Sequence, residues 1–381
     1  MAALTRLLLL ALLVVLALPA IARDETEAPH VFLMDARTGE TLFEKNADKA
    51  FAPASLSKIM TVLVAAEALG QGKLTLSTPI HISVNAWRKG GGPSGGAAMF
   101  ADVNSDVPLS AILRGIIVDG GNDAAIALAE HLSGSEAAFA QSLQARAKAL
   151  GLVHSQFRNA TGFAAPGHVA TARELALLSE YLIRRFPGIA RIFAEPEFTW
   201  NNIRQPNRNR LIKEYPGADG MVTGYAPGLG YHLIATAERG GRRLILVIAG
   251  AKSPAARSAE AKRFLDMGFA RFKPVAVFHA GEHVGRARVW GGASAQADLV
   301  TRQDVKVMLS DSERGQVKAE LVYQGPLRAP VPAGEPVGMV RIMVGGAVIS
   351  QTPAFVAQRV DETPEMWRKA LDRLLILAFG S

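Results

Sequence analysis

A serine hydroxyl and a lysine amine three residues apart, Ser55 and Lys58, are the side chains in this sequence best placed for chemistry. They stand in the stretch F-A-P-A-S-L-S-K-I-M-T, and an apolar run from Ile59 to Ala66 follows, closing at Gly70. Residues three apart share a helix face. A buried helix over residues 54–69, between Pro53 and Gly70, would therefore bring the amine to the hydroxyl. A hydroxyl is a weak nucleophile until a neighbour takes its proton, and a lysine with a pKa lowered by desolvation can do that. Taken alone, the pair reads equally as a helix cap beside a chance lysine, because Ser55 or Ser57 can cap a helix start. Asn122 is the next candidate. It lies in the elbow Asp119-Gly120-Gly121-Asn122-Asp123 between two apolar helical stretches. A buried amide there must find partners, so it either closes a turn or faces a cleft.

The elements that must position these groups are legible in outline. Residues 31–36 and 41–44 read as a hairpin around Arg37-Thr38-Gly39-Glu40 that feeds the Ser55 helix. Residues 74–84 read as extended. Residues 87–96 read as a glycine-rich loop carrying Arg88 and Lys89, without the strand-turn-helix context that phosphate binding needs. Helices are predicted from Pro108 to Val118, on to Leu132, over 135–150 and from Thr171 to Ile183, with a turn at 159–163. Residues 207–211 form a polar turn. Residues 231–237 and 243–249 alternate around Arg239-Gly240-Gly241 as an antiparallel hairpin, and 255–267 are helical. Strands at both ends of residues 23–274, with helices between, predict an α+β domain whose antiparallel sheet uses both ends of the segment. Residues 275–358 read as a small all-β domain of short strands separated by glycine and proline turns. Residues 359–381 read as an amphipathic helix, with Trp367, Leu371, Leu374 and Leu375 on one face and Arg368, Lys369 and Arg373 opposite. Such a helix either lies in an anionic membrane interface or docks on the β domain, and it is too short and too charged to span a bilayer.

Arg6 precedes an unbroken apolar run over residues 7–18, and Pro19-Ala20-Ile21-Ala22 offers a cut after Ala22. This is the layout of a secretory signal peptide over residues 1–22. The 381 residues contain no cysteine, which excludes disulfides, thiol chemistry and cysteine-ligated metals. A formal charge of +8 invites a nucleic-acid reading, but the arginines are scattered and no aromatic-basic interleaving or zinc-finger spacing is present. The charge fits attraction to an anionic envelope polymer or lipid surface instead. His131, His154 and His168 show no zinc-hydrolase spacing and read as surface or capping residues.

Three landmarks in order, A-P-A-S-L-S-K-I-M-T, G-G-N-D-A-A-I-A-L-A-E-H and D-G-M-V-T-G-Y, resemble the low-molecular-mass penicillin-binding proteins, the serine D-alanyl-D-alanine carboxypeptidases. The likeness extends to the opening hairpin, Trp87-Arg88 with Met99-Phe100, Asn159-x-Thr161-Gly162, the N-R-N-R-L run, the β domain and the terminal amphipathic segment. It implies a penicillin-recognising, β-lactamase-like fold with the site between a helical part and the sheet edge. It implies Ser55 as nucleophile, Lys58 as its activating base and Asn122 as the residue orienting substrate and lysine. Thr223 and Gly224 would edge the cleft, and the N–H groups of Ser55 and of Tyr225 or Ala226 would form the oxyanion hole. Arg257 is a candidate for the substrate carboxylate. Two positions depart from the family pattern: Gly120 stands where its second motif has a serine, and Val222 where its third has a lysine. An arginine such as Arg208, Arg210 or Arg257, or a water beside Gly120, could make up the loss.

The resemblance implies a carboxypeptidase acting on peptidoglycan pentapeptides through an acyl-enzyme, covalently trapped by β-lactams, needing no metal or organic cofactor and binding no nucleic acid. It implies an exported, periplasmic protein held at the outer face of the inner membrane by its C-terminal helix. Gly120 and Val222 leave open a reduced activity or a non-catalytic peptidoglycan-binding protein, and Ser55 with Lys58 alone would serve an esterase or β-lactamase.

Overall fold

The computed structural model describes residues 26–311 and 313–365. The expected signal peptide at 1–22 and residues 366–381 of the expected terminal helix lie outside them. Two antiparallel strands open the chain, β1 (His30–Asp35) and β2 (Thr41–Lys45), followed by a 3-10 turn, Ala54–Ser57, that runs into α1 (Lys58–Gly70). The short pair β3 (Pro79–His81) and β4 (Asp106–Pro108) brackets α2 (Val84–Gly90), and α3 (Leu109–Ile117), α4 (Asn122–Ser133), α5 (Glu136–Ala149), α6 (Ala172–Arg185) and α7 (Pro187–Ala190) complete the helical part. A hairpin, β5 (Glu197–Trp200) and β6 (Ile203–Pro206), precedes α8 (Leu211–Glu214), the edge strands β7 (Ala218–Gly220) and β8 (Thr223–Ala226), then β9 (Gly230–Arg239), β10 (Arg242–Ala251) and α9 (Pro254–Arg271).

The main sheet runs β2-β1-β10-β9-β7, with β8 also on β9, and all its pairings are antiparallel. The first and last strands of the domain are thus central neighbours, as the α+β reading expects. Both faces of the sheet are covered. Along β1 and β10 alternate side chains go to opposite sides, as the period of a strand requires. Phe32, Met34, Ile245 and Val247 enter the core shared with α1, α3, α4 and α6, whereas Val31, Leu33, Leu244 and Leu246 pack under α9. Side-chain caps start the helices where the sequence offers them: Ser83, Ser135, Thr171 and Ser253 each accept from an N–H three residues on. The cap at Ser83 corrects one expectation, because Trp87, Arg88 and Lys89 lie in α2 and not in a loop. A second correction is His168, which is buried with neither ring nitrogen hydrogen-bonded among the described residues, its pKa pushed down to about 4 by burial.

A second unit follows α9. Its strands β11 (Lys273–Phe278) and β14 (Val305–Leu309) form one pair. A six-stranded sheet is built from β12 (His283–Trp290), β13 (Gln296–Val300), β15 (Val317–Tyr323), β16 (Leu327–Arg328), β17 (Pro336–Val344) and β18 (Ala347–Val356) around its own core. Bridges Val331↔Val360 and Gly292↔Glu362 carry its pairing past residue 358, and residues 359–365 contain no helix. The two units are joined at Glu40, whose Oε2 accepts from the Met308 N–H at 2.6 Å. No described helix is long and apolar enough to cross a membrane.

Candidate active site

Ser55 sits in the 3-10 turn, so the expected helix over 54–69 divides into a tight first turn and a regular helix from Lys58. The turn is entered through Ala54 at φ +49, a left-handed conformation that a non-glycine residue adopts only when its surroundings hold it there. The Lys58 side chain is 1 % exposed and donates to Ser55 Oγ at 3.1 Å, Asn122 Oδ1 at 2.7 Å and the Thr161 carbonyl at 2.7 Å. Three acceptors satisfy an ammonium's three donors, yet burial dominates. It pulls the Lys58 pKa down to about 7, with Arg208 pushing the same way and Asp123 opposing. A lysine held there is half neutral at neutral pH, with its nitrogen within proton-transfer reach of a hydroxyl.

Asn122 is the first residue of α4: its amide oxygen accepts from Lys58 Nζ, and its backbone N–H donates to the Ala97 carbonyl at 2.8 Å. The elbow is fixed beneath it by Asp123. That buried carboxylate accepts from the N–H groups of Met99, Ala101 and Ala124, and burial raises its pKa. Gly120 has φ +70, and a side chain begun there would meet Ala97 Cβ at 3.7 Å and Arg208 Cγ at 3.8 Å.

Sequence reasoning missed two parts of this site. The first is the Thr161 carbonyl. The turn at 159–163 is legible as a turn, with Asn159 Oδ1 accepting from the Gly162 N–H at 2.7 Å, but no side-chain signal marks a backbone acceptor for a lysine 103 positions away. Gly162, at φ +85, is obligatory there, because a Cβ would stand 2.0 Å from the Ala54 carbonyl oxygen. The second is Asp119, buried with neither carboxylate oxygen hydrogen-bonded among the described residues. Burial raises its pKa to about 7, while Arg208 pulls it down.

A cleft of about 1140 Å³ opens over Ser55 and Lys58. Gly120 and Arg208 bound one side, Val222, Thr223, Gly224 and Tyr225 the sheet edge, and Arg257 on α9 the far end. Of the residues singled out from the sequence, Asn122 and Ala226 do not line this cleft, and Asn122 joins it through its contact with Lys58 Nζ. Strand β8 pairs with β9 from Thr223↔Leu233 to Ala226↔Gly230, and it approaches the nucleophile closely: a Cβ on Gly224 would be 3.3 Å from the Ser55 nitrogen. The Tyr225 ring is half exposed and rests on Tyr231 at 4.8 Å between centroids. Arg257 donates to the His232 carbonyl at 3.3 Å, and its pKa is lowered by burial first and by Arg210.

Comparison with known proteins identifies the family. The profile of the D-alanyl-D-alanine carboxypeptidase family matches residues 18–253, and that of the penicillin-binding protein 5 C-terminal domain matches residues 272–362. The chain is 37 % identical over 353 residues to the D-alanyl-D-alanine carboxypeptidase DacC of Escherichia coli, covering 90 % of this chain and 88 % of that protein. It is 35 % identical over 341 residues to DacA of the same organism, covering 89 % and 85 %. Among solved structures, penicillin-binding protein 5 of Haemophilus influenzae superposes with a TM-score of 0.77 at 32 % identity, over 90 % of this chain and all of that one.

Proposed function

This chain belongs to the serine D-alanyl-D-alanine carboxypeptidase family, and on that footing we propose that Ser55 is its nucleophile and Lys58 its general base. The enzyme acts on peptidoglycan stem peptides and binds β-lactams. The observation that carries the assignment is the contact of Lys58 Nζ with Ser55 Oγ at 3.1 Å in a setting that holds the amine near half-deprotonation.

The neutral amine takes the Ser55 proton as Oγ attacks the carbonyl carbon between the last two D-alanines. The oxyanion that forms is met by the N–H groups of Ser55 and Tyr225, donors that are worth far more in a dry cleft than in water. The tetrahedral adduct collapses, the C–N bond breaks, and the Lys58 ammonium returns the proton to the leaving amine, so D-alanine departs and Ser55 carries the acyl group. Water then attacks the ester with Lys58 again as base, and the proton returns to Ser55 Oγ as the shortened peptide leaves. Asn122 orients Lys58 throughout, and Thr223 and Gly224 form the sheet edge along which the substrate lies. The ring of a penicillin enters the same path and stalls at the acyl stage. Mass spectrometry after incubation with a labelled penicillin is expected to find one adduct on Ser55, and a pentapeptide assay is expected to release D-alanine. Retention of either by Ser55→Ala overturns the assignment.

The segment at 1–22 and the amphipathic residues from Trp367 to Phe379 support an exported protein held on the outer face of the inner membrane. Co-sedimentation of the mature chain with anionic lipid vesicles, lost on truncation after Glu365, is the expected result. Equal sedimentation of both forms would exclude this mode of attachment.

A further inference from the structure

A carboxypeptidase must recognise a free carboxylate, and the sheet edge supplies no cation for it: Val222 is apolar and half-buried against the helical core. Among the described residues, the cleft is lined by three arginines with no carboxylate partner, Arg208, Arg210 and Arg257, while Lys262 is spent on Glu214 at 2.9 Å. Arg210 and Arg257 lie together at the far end, where Arg257 is tied to the His232 carbonyl. Arg208 lies on the nucleophile's side. Its backbone N–H donates to the Val118 carbonyl, and its Nε donates to the Asp119 carbonyl at 2.9 Å, so the side chain is clamped to the elbow that carries Asn122. Its stem passes beside Gly120, where a Cβ would stand 3.8 Å from Arg208 Cγ, an ordinary contact. One further N–H reaches Gln205 at 3.4 Å. Of the five N–H donors of a guanidinium, this leaves most of the fork without a protein partner among the described residues.

We propose that Arg208 is the working cation of this cleft: anchored at the Asp119 carbonyl beside Gly120, its guanidinium holds the terminal carboxylate of the substrate. The inference rests on the Ser55–Lys58 reading and gives a role to the two departures, Gly120 and Val222. Glycine suits the left-handed elbow at φ +70 that carries the arginine's anchor, and a valine at 222 leaves no competing charge. Besides Arg208, the groups facing Lys58 are Asp123 from α4, the Asn122 amide and the Thr161 carbonyl, and Asp119 faces Arg208.

The test is steady-state kinetics of D-alanine release, together with penicillin acylation from pH 5 to 9, for the parent, Arg208→Gln, Arg208→Lys and the double variant Arg208→Gln/Val222→Lys. Arg208→Gln is expected to lower kcat/KM by about 10²-fold, the scale for losing one preorganised donor to charge. The loss should shrink for a thioester substrate that lacks the terminal carboxylate. Removing a positive charge raises the Lys58 pKa, so the acid limb of acylation moves to higher pH. Lysine at 208, or at 222 in the glutamine background, restores at least tenfold. Arg208→Gln within twofold of the parent overturns the proposal, as does a loss that no lysine rescues and that leaves the acid limb in place. Should Arg208→Gln fail to fold, Arg208→Lys decides. It keeps the charge and breaks the anchor, and activity as low as Ser55→Ala overturns the proposal. A parent that neither releases D-alanine nor takes up penicillin refutes the Ser55 assignment itself, a distinguishable result.

Discussion

The acylation rate should titrate with Lys58. A free lysine has a pKa of 10.5, and burial brings this one to about 7. At pH 7 the free side chain is neutral in about 1 molecule in 3000, whereas a group of pKa 7 is neutral in about half, a gain of about 1500-fold in usable base. The sign follows from the mechanism: the base works in its neutral form, so acylation rises with pH through about 7 and levels off above about 8. From pH 7 to pH 5 the neutral fraction falls from about one half to about one hundredth, so the second-order rate of acylation should drop about fifty-fold. A stopped-flow or gel-based measurement with a fluorescent penicillin reads this directly. Lys58→Arg places a cation that cannot deprotonate in the same turn, and should lose about 10³-fold or more at every pH. A profile flat from pH 5 to 9, an acid limb centred above pH 9, or an arginine variant within tenfold of the parent would refute the reasoning.

Asp119→Asn separates the second group that titrates in this range. The folded carboxyl holds its proton up to about pH 7 whereas the unfolded one releases it near 3.8, so stability is undisturbed below about pH 4 and is lost as pH rises to 7; the asparagine variant should be more stable than the parent by on the order of 2 kcal/mol at pH 8 and equal at pH 4 by thermal melting, with the acid limb of acylation unmoved. Gly162→Ala would drive a methyl into the Ala54 carbonyl and strain a backbone at φ +85, and should destabilise by about 2–3 kcal/mol and slow acylation at least tenfold as the Thr161 acceptor shifts from Lys58. Glu40→Ala removes the acceptor of the Met308 N–H between the two units; denaturant melts should show a loss of about 1–2 kcal/mol with penicillin acylation unchanged.

What the sequence made legible follows the reach of each signal. Ser55 and Lys58 are three residues apart, so a local helix rule places them together whatever the rest of the chain does. Strands β9 and β10 announce themselves as short, largely apolar runs, unbroken from Leu244 to Ala249 because both faces of the sheet are covered, and their common turn by Gly240 and Gly241. The second motif was readable only as an alternative between turn and cleft, because the partner of Asn122 is 64 positions away. The Thr161 carbonyl was invisible, since any residue offers a carbonyl and only the fold chooses which one faces a lysine. Position 120 shows why a motif letter is not a geometry. With φ +70 the elbow is held in a conformation that favours glycine, although the space in front of it would take a Cβ at ordinary contact distance from Ala97 and Arg208. The residue that the family pattern marks as missing therefore belongs to a backbone suited to its replacement. The charge that pattern marks as missing at Val222 stands across the cleft on Arg208, tied through Asp119 to the same elbow. A motif-by-motif comparison counts two losses, while Lys58 keeps all three of its acceptors and Arg208 lines the cleft beside it.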